Sequence, residues 1–248
     1  MEAIVLAGGP PPKGVRDFSS RGVTMVGGVR LAERVVVELQ KAKRIERILL
    51  VAEGEEKDWP DGVVVVAPGK SYSDSIDAGY QQLNGCVHND APILGLNGDM
   101  PFCEATAVST WIDRAENLMG EAEAELVVGY CERTESERVY PGARRTWGKL
   151  RTGQYSSSGI ALVRPSKIPV FVEAFRSLYG LRKDKVALAR QLGIVPLALF
   201  LLGQLTIRSV EHEFSRLVGV RTRGLIAPPC CGFNIDEVED LIYAENLI

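Results

Sequence analysis

One carboxylate of this sequence is placed where a metal ion and a phosphorylated ligand can meet. Asp99 follows Asn97 and Gly98 at the end of an apolar run, PILGLNGD, that spans residues 92–99. A strand can hold such a carboxylate rigidly for Mg²⁺, which prefers one or two protein carboxylates together with phosphate oxygens. Because Asp is also common in turns and at helix caps, a purely structural role is the alternative.

The first glycine pair of the chain is a second candidate for phosphate binding. Gly8 and Gly9 end the opening run AIVLAGG and are followed by three prolines, Lys13 and Arg16. Glycines let backbone amides approach a phosphate, and a lysine or arginine neutralises its charge. The segment matches neither G-x-G-x-x-G nor the phosphate loop that ends in GK[ST]. A turn that needs two glycines for local reasons explains the pattern equally well.

A further carboxylate, Asp236, lies in GFNIDEVEDL, residues 232–241. The pattern predicts a strand-to-helix junction, where a carboxylate can contact a metal. The alternative is an ordinary helix start, in which Asn234 or Asp236 is the N-cap and Glu239 completes a capping box.

The elements that must position these residues alternate between strand and helix. Short apolar runs predict buried strands, and apolar residues at helical spacing predict the helices between them. The alternation predicts one α/β domain over residues 1–248, with a doubly wound, mostly parallel sheet and ligands beyond the carboxyl ends of its strands. The predicted strands are 3–9, 47–52, 63–67, 92–99 and 125–131, and the predicted helices are 30–42, one after Gly69 and 105–119.

The alternation fails in a polar and basic stretch, residues 132–158. We expect this stretch to form a hairpin or a long excursion at the rim of the site, on the side of the acceptor. A strand is then predicted at 159–165. Helices at 170–178, 184–192 and 196–202, a strand near 217–226 and a last helix at 237–247 follow.

Composition and charge narrow the classes of function. The 29 lysines and arginines against 32 acidic residues give a net charge of −3, which disfavours nucleic acid or an anionic membrane as partner. The longest apolar stretch, residues 194–205, is interrupted by Pro196 and Gly203 and is much shorter than the roughly 20 residues of a membrane span. Five cysteines without metal-site spacing, and no secretory signal, predict reduced thiols and a cytoplasmic protein.

Three separated motifs together resemble one family, the nucleotidyltransferases related to molybdenum cofactor guanylyltransferase. AIVLAGG is similar to its nucleotide-binding opening, GDMPF at 98–102 to its metal-aspartate motif, and NIDEVEDL at 234–241 to its closing motif. MVGGVRLAERVV at 25–36 and SYSDSIDAGYQQL at 71–83 resemble family segments between them. The resemblance covers most of the chain.

The resemblance implies a GT-A-like fold of the nucleotide-diphospho-sugar transferase type and a Mg²⁺-dependent reaction. A small phosphorylated acceptor would attack the α-phosphate of a nucleoside triphosphate and release pyrophosphate. Asp99 and Asp236 would bind the metal. The residues that would contact the nucleotide are Leu6, Ala7, Gly8, Gly9, Ser71, Asp74, Ser75, Asn97 and Gly98.

The chain departs from the family pattern after its opening glycines. The family continues with a small residue, an arginine and Met-Gly, and later places a lysine before the first helix. This chain has PPPKGVRDFSS instead, with Arg21 at the position of the lysine. Lys13, Arg16 and Arg21 are therefore the predicted catalytic cations that stabilise charge on pyrophosphate, although a guanidinium fork differs in geometry from an ammonium group.

The acceptor is expected at RRTWGKLRTGQYSSSGIALVRP, residues 144–165, which also resembles a subgroup of bacterial transferase-like proteins. The predicted acceptor-binding residues are Arg144, Arg145, Ser157, Ser158 and Gly159. A solvated hairpin of mixed charge is the alternative for this stretch. Two other functions stay open at this point: a nucleotide-binding protein that has lost catalysis, and a glycosyltransferase of the same architecture, which is expected to carry a D-x-D pair.

Overall fold

The structure, a computed structural model, describes residues 1–83, 90–181, 199 and 202–248. Eight strands of these residues form one sheet. They are β1 (Glu2–Leu6), β4 (Arg47–Val51), β5 (Val63–Val66), β6 (Ile93–Asn97), β7 (Leu126–Glu132), β8 (Gly148–Leu150), β9 (Gly153–Val163) and β10 (Thr222–Ile226). The short strands β2 (Met25–Val26) and β3 (Val29–Arg30) form a separate antiparallel pair.

The sheet is mostly parallel, which confirms that prediction. Its strands run in the order β10-β7-β9-β6-β1-β4-β5, and β8 pairs with β9 outside this path. β1 pairs in parallel with β4 and β6, β4 with β5, and β10 with β7. β9 is antiparallel to its neighbours β6, β7 and β8.

Helices cover both faces of the sheet, because its central strands are apolar on both sides. α1 (Leu31–Lys41) and α3 (Ala105–Glu121) pack on the face to which Val5 of β1 points. α2 (Tyr72–Leu83), α5 (Ile168–Leu181) and α6 (Ile207–Val218) lie on the face of Ile4. α4 (Arg133–Val139) packs against β7 and β9, and α7 (Val238–Glu245) against β2. None of the helices in the described ranges has the length and hydropathy to span a bilayer.

The strand order creates a crevice beside β1. From β1 the chain builds β4 and β5 toward one edge and then returns to β6 on the other side of β1, where Leu6 pairs with Asn97. Open α/β sheets bind ligands beyond the carboxyl ends of their strands at such a reversal. Gly8 follows β1 and Asp99 follows β6, so both residues lie there.

Several predicted boundaries are corrected by the structure. The strand predicted near 217–226 begins only at Thr222, because α6 continues to Val218 and ends at Gly219, whose φ of +68° is in the left-handed region. The strand predicted at 159–165 is the longer β9, which forms a hairpin with β8 inside the 132–158 stretch. The last helix is shorter than 237–247. The predicted helix at 184–192, and most of the one at 196–202, lie outside the described residues.

Candidate functional site

The Asp99 carboxylate is buried in the turn that follows β6, with 5% of its side chain exposed. The Gly98 amide donates to the Leu6 carbonyl at 2.8 Å, and the Ile235 amide donates to the Asp99 carbonyl at 3.1 Å. A Cβ atom at Gly98 would lie 2.7 Å from Cβ of Ala7, so glycine is needed for the two strand ends to approach this closely. The close packing of β1 and β6 therefore fixes the position of Asp99.

The Asp236 side chain can contribute to the site because Glu237, and not Asp236, caps α7. The N-cap is Glu237, which forms a capping box with Asp240. The amides of Asp236 and Glu237 both donate to Oδ2 of Asp240 at 3.0 Å. The alternative in which Asn234 or Asp236 is the N-cap and Glu239 completes the capping box is therefore wrong. The Asp236 carboxylate, 61% exposed, is available for other contacts.

One guanidinium group bridges the two predicted metal carboxylates. Nη1 of Arg21 donates to Oδ2 of Asp99 and to Oδ1 of Asp236, in each case at 2.9 Å. The arginine side chain is 27% exposed and lies between a buried and an exposed carboxylate. The structure thus joins one predicted catalytic cation to both predicted metal ligands.

Burial dominates the electrostatics of this cluster. It raises the pKa of Asp99 to about 6; the charge of Asp236 adds to this rise, and Arg21 opposes it. Burial alone would lower the pKa of Arg21, but its two carboxylate partners raise that pKa overall. Arg21 is therefore positively charged, and Asp99 changes its charge near pH 6.

The carboxylate pair fits the ligand preference of Mg²⁺. Oδ1 of Asp99 is buried and has no hydrogen-bond partner among the described residues, which leaves one protein oxygen for a ligand. Magnesium takes one or two protein carboxylates and completes its shell with water and phosphate oxygens. Within the described part of the chain, no group of three or more His, Cys, Asp or Glu side chains is arranged to hold a metal.

The glycine turn after β1 packs closely against the rest of the site. A Cβ atom at Gly8 would lie 2.1 Å from Cβ of Pro68, whereas one at Gly9 would meet no atom of the described residues within 4 Å. The Arg21 amide donates to the Gly9 carbonyl at 2.8 Å. Glycine is thus required at position 8 because this turn packs directly against Pro68. Gly9 connects the turn to Arg21 through the hydrogen bond between its carbonyl and the Arg21 amide.

The two other predicted cations do not join the bridge between the carboxylates. Lys13 is 84% exposed, and its Nζ lies 3.3 Å from Oε1 of Glu237. Its amide donates to the Asp236 carbonyl at 2.8 Å, and its carbonyl accepts from the Val238 amide at 3.0 Å. Lys13 therefore joins the opening loop to the start of α7. Arg16 is exposed on the same loop, and a catalytic role for either cation stays a prediction.

The predicted nucleotide-binding residues near α2 make local hydrogen bonds. Oγ of Ser71 accepts from the Asp74 amide at 3.1 Å, the pattern of an N-cap. Asp74 pairs with Arg176 of α5 at 2.8 Å, and hydrogen bonds from Ser71 and Arg176 lower its pKa. Ser75 is buried and accepts from the Gly69 amide at 3.1 Å. These contacts shape the helix start, and their role toward a nucleotide stays a prediction.

Tyr72 belongs to the site although no sequence pattern indicated it. Its hydroxyl donates to Oδ1 of Asn97 at 3.0 Å, at the end of β6 and two residues before Asp99. Tyr72 lies in the first turn of α2, and nothing in the local sequence indicates that it contacts Asn97, 25 positions further along the chain. Only the packing of α2 beside β6 reveals this contact.

The predicted acceptor-binding residues fall into two groups. Arg144 lies 3.6 Å from Oε1 of Glu239 in α7, and Arg145 lines a narrow cleft beside Phe233. The other group belongs to β9 and lines a cavity between the sheet and α2, α5 and α6. That second group consists of Ser157, Ser158 and Gly159.

Comparison with known proteins agrees with this architecture. A family model described as the MobA-like NTP transferase domain matches residues 3–164, more than half of the chain. A hypothetical transferase from Thermus thermophilus is 29% identical, with a TM-score of 0.80 over 97% of this chain and 98% of that one. The 4-diphosphocytidyl-2C-methyl-D-erythritol synthase of Anaerococcus prevotii is 14% identical, with a TM-score of 0.58 over 99% of this chain and 96% of that one, a likeness in fold alone. No curated protein matches the chain. The predicted GT-A-like, doubly wound fold is confirmed.

Proposed function

The chain belongs to the MobA-like NTP transferase domain family, and we propose that it moves a nucleoside monophosphate from a nucleoside triphosphate to a small phosphorylated acceptor with Mg²⁺. Family membership and its transferase neighbours make it an enzyme of the nucleotidyltransferase class. In the proposed reaction an acceptor phosphate oxygen forms a bond to the α-phosphorus. The bond between the α-phosphorus and the bridging oxygen breaks, and pyrophosphate leaves with that electron pair.

The observation that carries this proposal is the cluster of Asp99, Arg21 and Asp236 at the carboxyl ends of β1 and β6. Two carboxylates and one cation meet there within hydrogen-bond distance. The position is the strand reversal at which this class of sheet binds ligands. Nucleotidyl transfer requires such a combination, because the protein must hold a metal and a triphosphate together.

Asp99 and Asp236 are the proposed ligands of the metal. When bound there, Mg²⁺ would neutralise negative charge on the triphosphate oxygens and so favour attack at the α-phosphorus. Asp99 offers, from a rigid strand end, a buried oxygen that no described residue hydrogen-bonds. Asp236 offers an exposed carboxylate from a backbone that the capping box of α7 holds in place.

Arg21 is the proposed cation for the leaving pyrophosphate. Transfer of this kind depends on positioning and charge stabilisation more than on covalent chemistry by the protein. Arg21 follows the opening loop, and its amide donates to the Gly9 carbonyl, so its backbone lies beside the proposed phosphate-binding turn while its guanidinium group reaches Asp99 and Asp236. A guanidinium group can hold two phosphate oxygens at once, and we expect Arg21 to exchange a carboxylate for them when nucleotide binds.

Release of pyrophosphate that depends on an acceptor tests the proposal. Each nucleoside triphosphate is incubated with Mg²⁺ and a panel of phosphorylated acceptors, and pyrophosphate is measured by a coupled assay. We expect release only with an acceptor present, and a loss of about 100-fold or more in Asp99→Asn. Asp113→Asn, an exposed carboxylate of α3 away from the site, is the matched control and should keep the wild-type rate. Pyrophosphate release that Asp99→Asn does not reduce would contradict the proposal.

A further inference from the structure

A cavity of about 760 Å³ lies between the sheet and the helices α2, α5 and α6. Strands β6, β9 and β7 form its floor, and Phe171, Phe175 and Phe214 contribute to its walls. Small-molecule sites typically measure about 300–1,000 Å³. The cavity is therefore large enough for a substrate-sized ligand.

The lining of this cavity is mostly apolar. Leu126, Val128 and Ala161 belong to the sheet side of the lining. Among the described lining residues the only charged one is Glu211, whose Oε1 accepts a hydrogen bond from the Gly224 amide at 2.7 Å. A phosphate buried in this interior would have no lysine or arginine of the described lining to neutralise it, which is costly. The cavity suits an uncharged apolar group.

Polar groups meet at one end of the cavity, beside the proposed active site. Asn97 lines the cavity and is two residues from Asp99, a chain distance of at most about 7 Å. Oγ of Ser158 is buried without a hydrogen-bond partner in the described structure. A Cβ atom at Gly159 would lie 2.7 Å from Sδ of Met100, so β9 passes directly against the turn that holds Asp99. This end of the cavity, which includes the predicted acceptor residues Ser158 and Gly159, is thus adjacent to the turn that holds Asp99.

We propose that the cavity binds the hydrocarbon chain of an amphipathic acceptor, a phosphate monoester of a linear hydrocarbon. The phosphate stays outside the apolar interior, beyond Asn97 on the side of Asp99 and Arg21, and the chain extends between the sheet and α5. This inference rests on the proposed function and specifies the chemical class of its acceptor. The order from Asp99 through the polar end to the apolar interior matches the order of groups in such a molecule, reacting phosphate first and hydrocarbon last.

Titration with alkyl phosphates of increasing length tests the inference in the absence of nucleotide. Ethyl, butyl, hexyl and octyl phosphate are titrated into the full chain by calorimetry, below the concentrations at which they form micelles. Each methylene that enters the cavity is expected to raise the affinity about fourfold, the equivalent of about 0.8 kcal/mol. The rise should stop when the cavity is full.

Two variants that fill the cavity provide the decisive comparison. Val210 lines it and is 40% exposed on α6, so Val210→Trp can be accommodated without disturbing the core. Ala161→Phe fills the cavity from β9. Both variants should lose the gain in affinity from butyl to octyl phosphate. Ala122→Phe, at the end of α3 and outside the described lining, is the matched control and should keep the gain.

Affinity that does not increase with chain length in the wild type would overturn the inference. An increase that is equal in the wild type and in both cavity variants would overturn it as well. Because the titration contains no nucleotide, its failure leaves the assay of acceptor-dependent pyrophosphate release untouched. If no acceptor-dependent pyrophosphate release is found, the alkyl phosphate titration still reports whether the cavity binds a hydrocarbon chain.

Discussion

Replacement of Asp99 by asparagine is expected to stabilise the metal-free protein at neutral pH. The folded site raises the pKa of Asp99 from its ordinary 3.8 to about 6, because burial outweighs the attraction of Arg21. The folded protein therefore favours a neutral side chain here, and asparagine is the neutral group closest in shape. This rise in pKa, at about 1.4 kcal/mol for each pH unit, sets an upper limit of about 3 kcal/mol on the increase in the free energy of unfolding of Asp99→Asn.

The gain depends on pH with a definite sign. Between about pH 4 and pH 6 the folded wild type binds more protons at Asp99 than the unfolded chain does, so its stability falls relative to the variant as the pH rises. The full gain is present above about pH 6. It vanishes below about pH 4, where Asp99 is protonated in both states.

Urea unfolding of wild type and Asp99→Asn, with a chelator present, measures the effect at about pH 7.5 and about pH 4.5. Asp236→Asn is the control, because its carboxylate is 61% exposed and its removal should change the free energy of unfolding by no more than about 1 kcal/mol. If Asp99→Asn is less stable than the wild type at both pH values, burial of the Asp99 carboxylate does not destabilise the folded state. Such a result would mean that the ion pair with Arg21, and not burial, dominates the site.

Three further predictions concern Gly8, Lys13 and Arg21. Gly8→Ala should destabilise the fold by about 1–3 kcal/mol, because the added Cβ would lie 2.1 Å from Cβ of Pro68; thermal unfolding tests this, and an unchanged midpoint would contradict it. Lys13→Ala should change the free energy of unfolding by less than about 1 kcal/mol, since its side chain is 84% exposed, and a larger loss in urea would argue against a surface role. Arg21→Ala should raise the pKa of Asp99 further above its ordinary range, because the opposing charge is gone; a fall in an NMR titration would be inconsistent with the bridge.

The position of Asp99 was predictable from sequence because its signal is local. A continuous apolar run followed by a glycine and a carboxylate describes a buried strand and its exit turn, and both are present. The opening glycines were predictable for the same reason. The contact between Arg21 and the two carboxylates was not, because 78 and 215 positions separate the partners and only the sheet order brings them together.

Two features escaped sequence reasoning for different physical reasons. The run Asp236, Glu237, Glu239 and Asp240 contains several residues that can cap a helix, and neighbouring registers satisfy the same pattern. The structure selects Glu237 and Asp240, which releases Asp236 for the site. The cavity beside β9 has no sequence signature at all, because its lining comes from several strands and three helices that are distant along the chain.

Thermal unfolding can show whether nucleotide binding depends on Mg²⁺ held by Asp99. Wild type and Asp99→Asn are heated with each of the four nucleoside triphosphates, with and without Mg²⁺. We expect at least one nucleotide to raise the wild-type midpoint only when Mg²⁺ is present, and Asp99→Asn to abolish this shift. No shift with any nucleotide, or a shift that persists equally in Asp99→Asn, would contradict it.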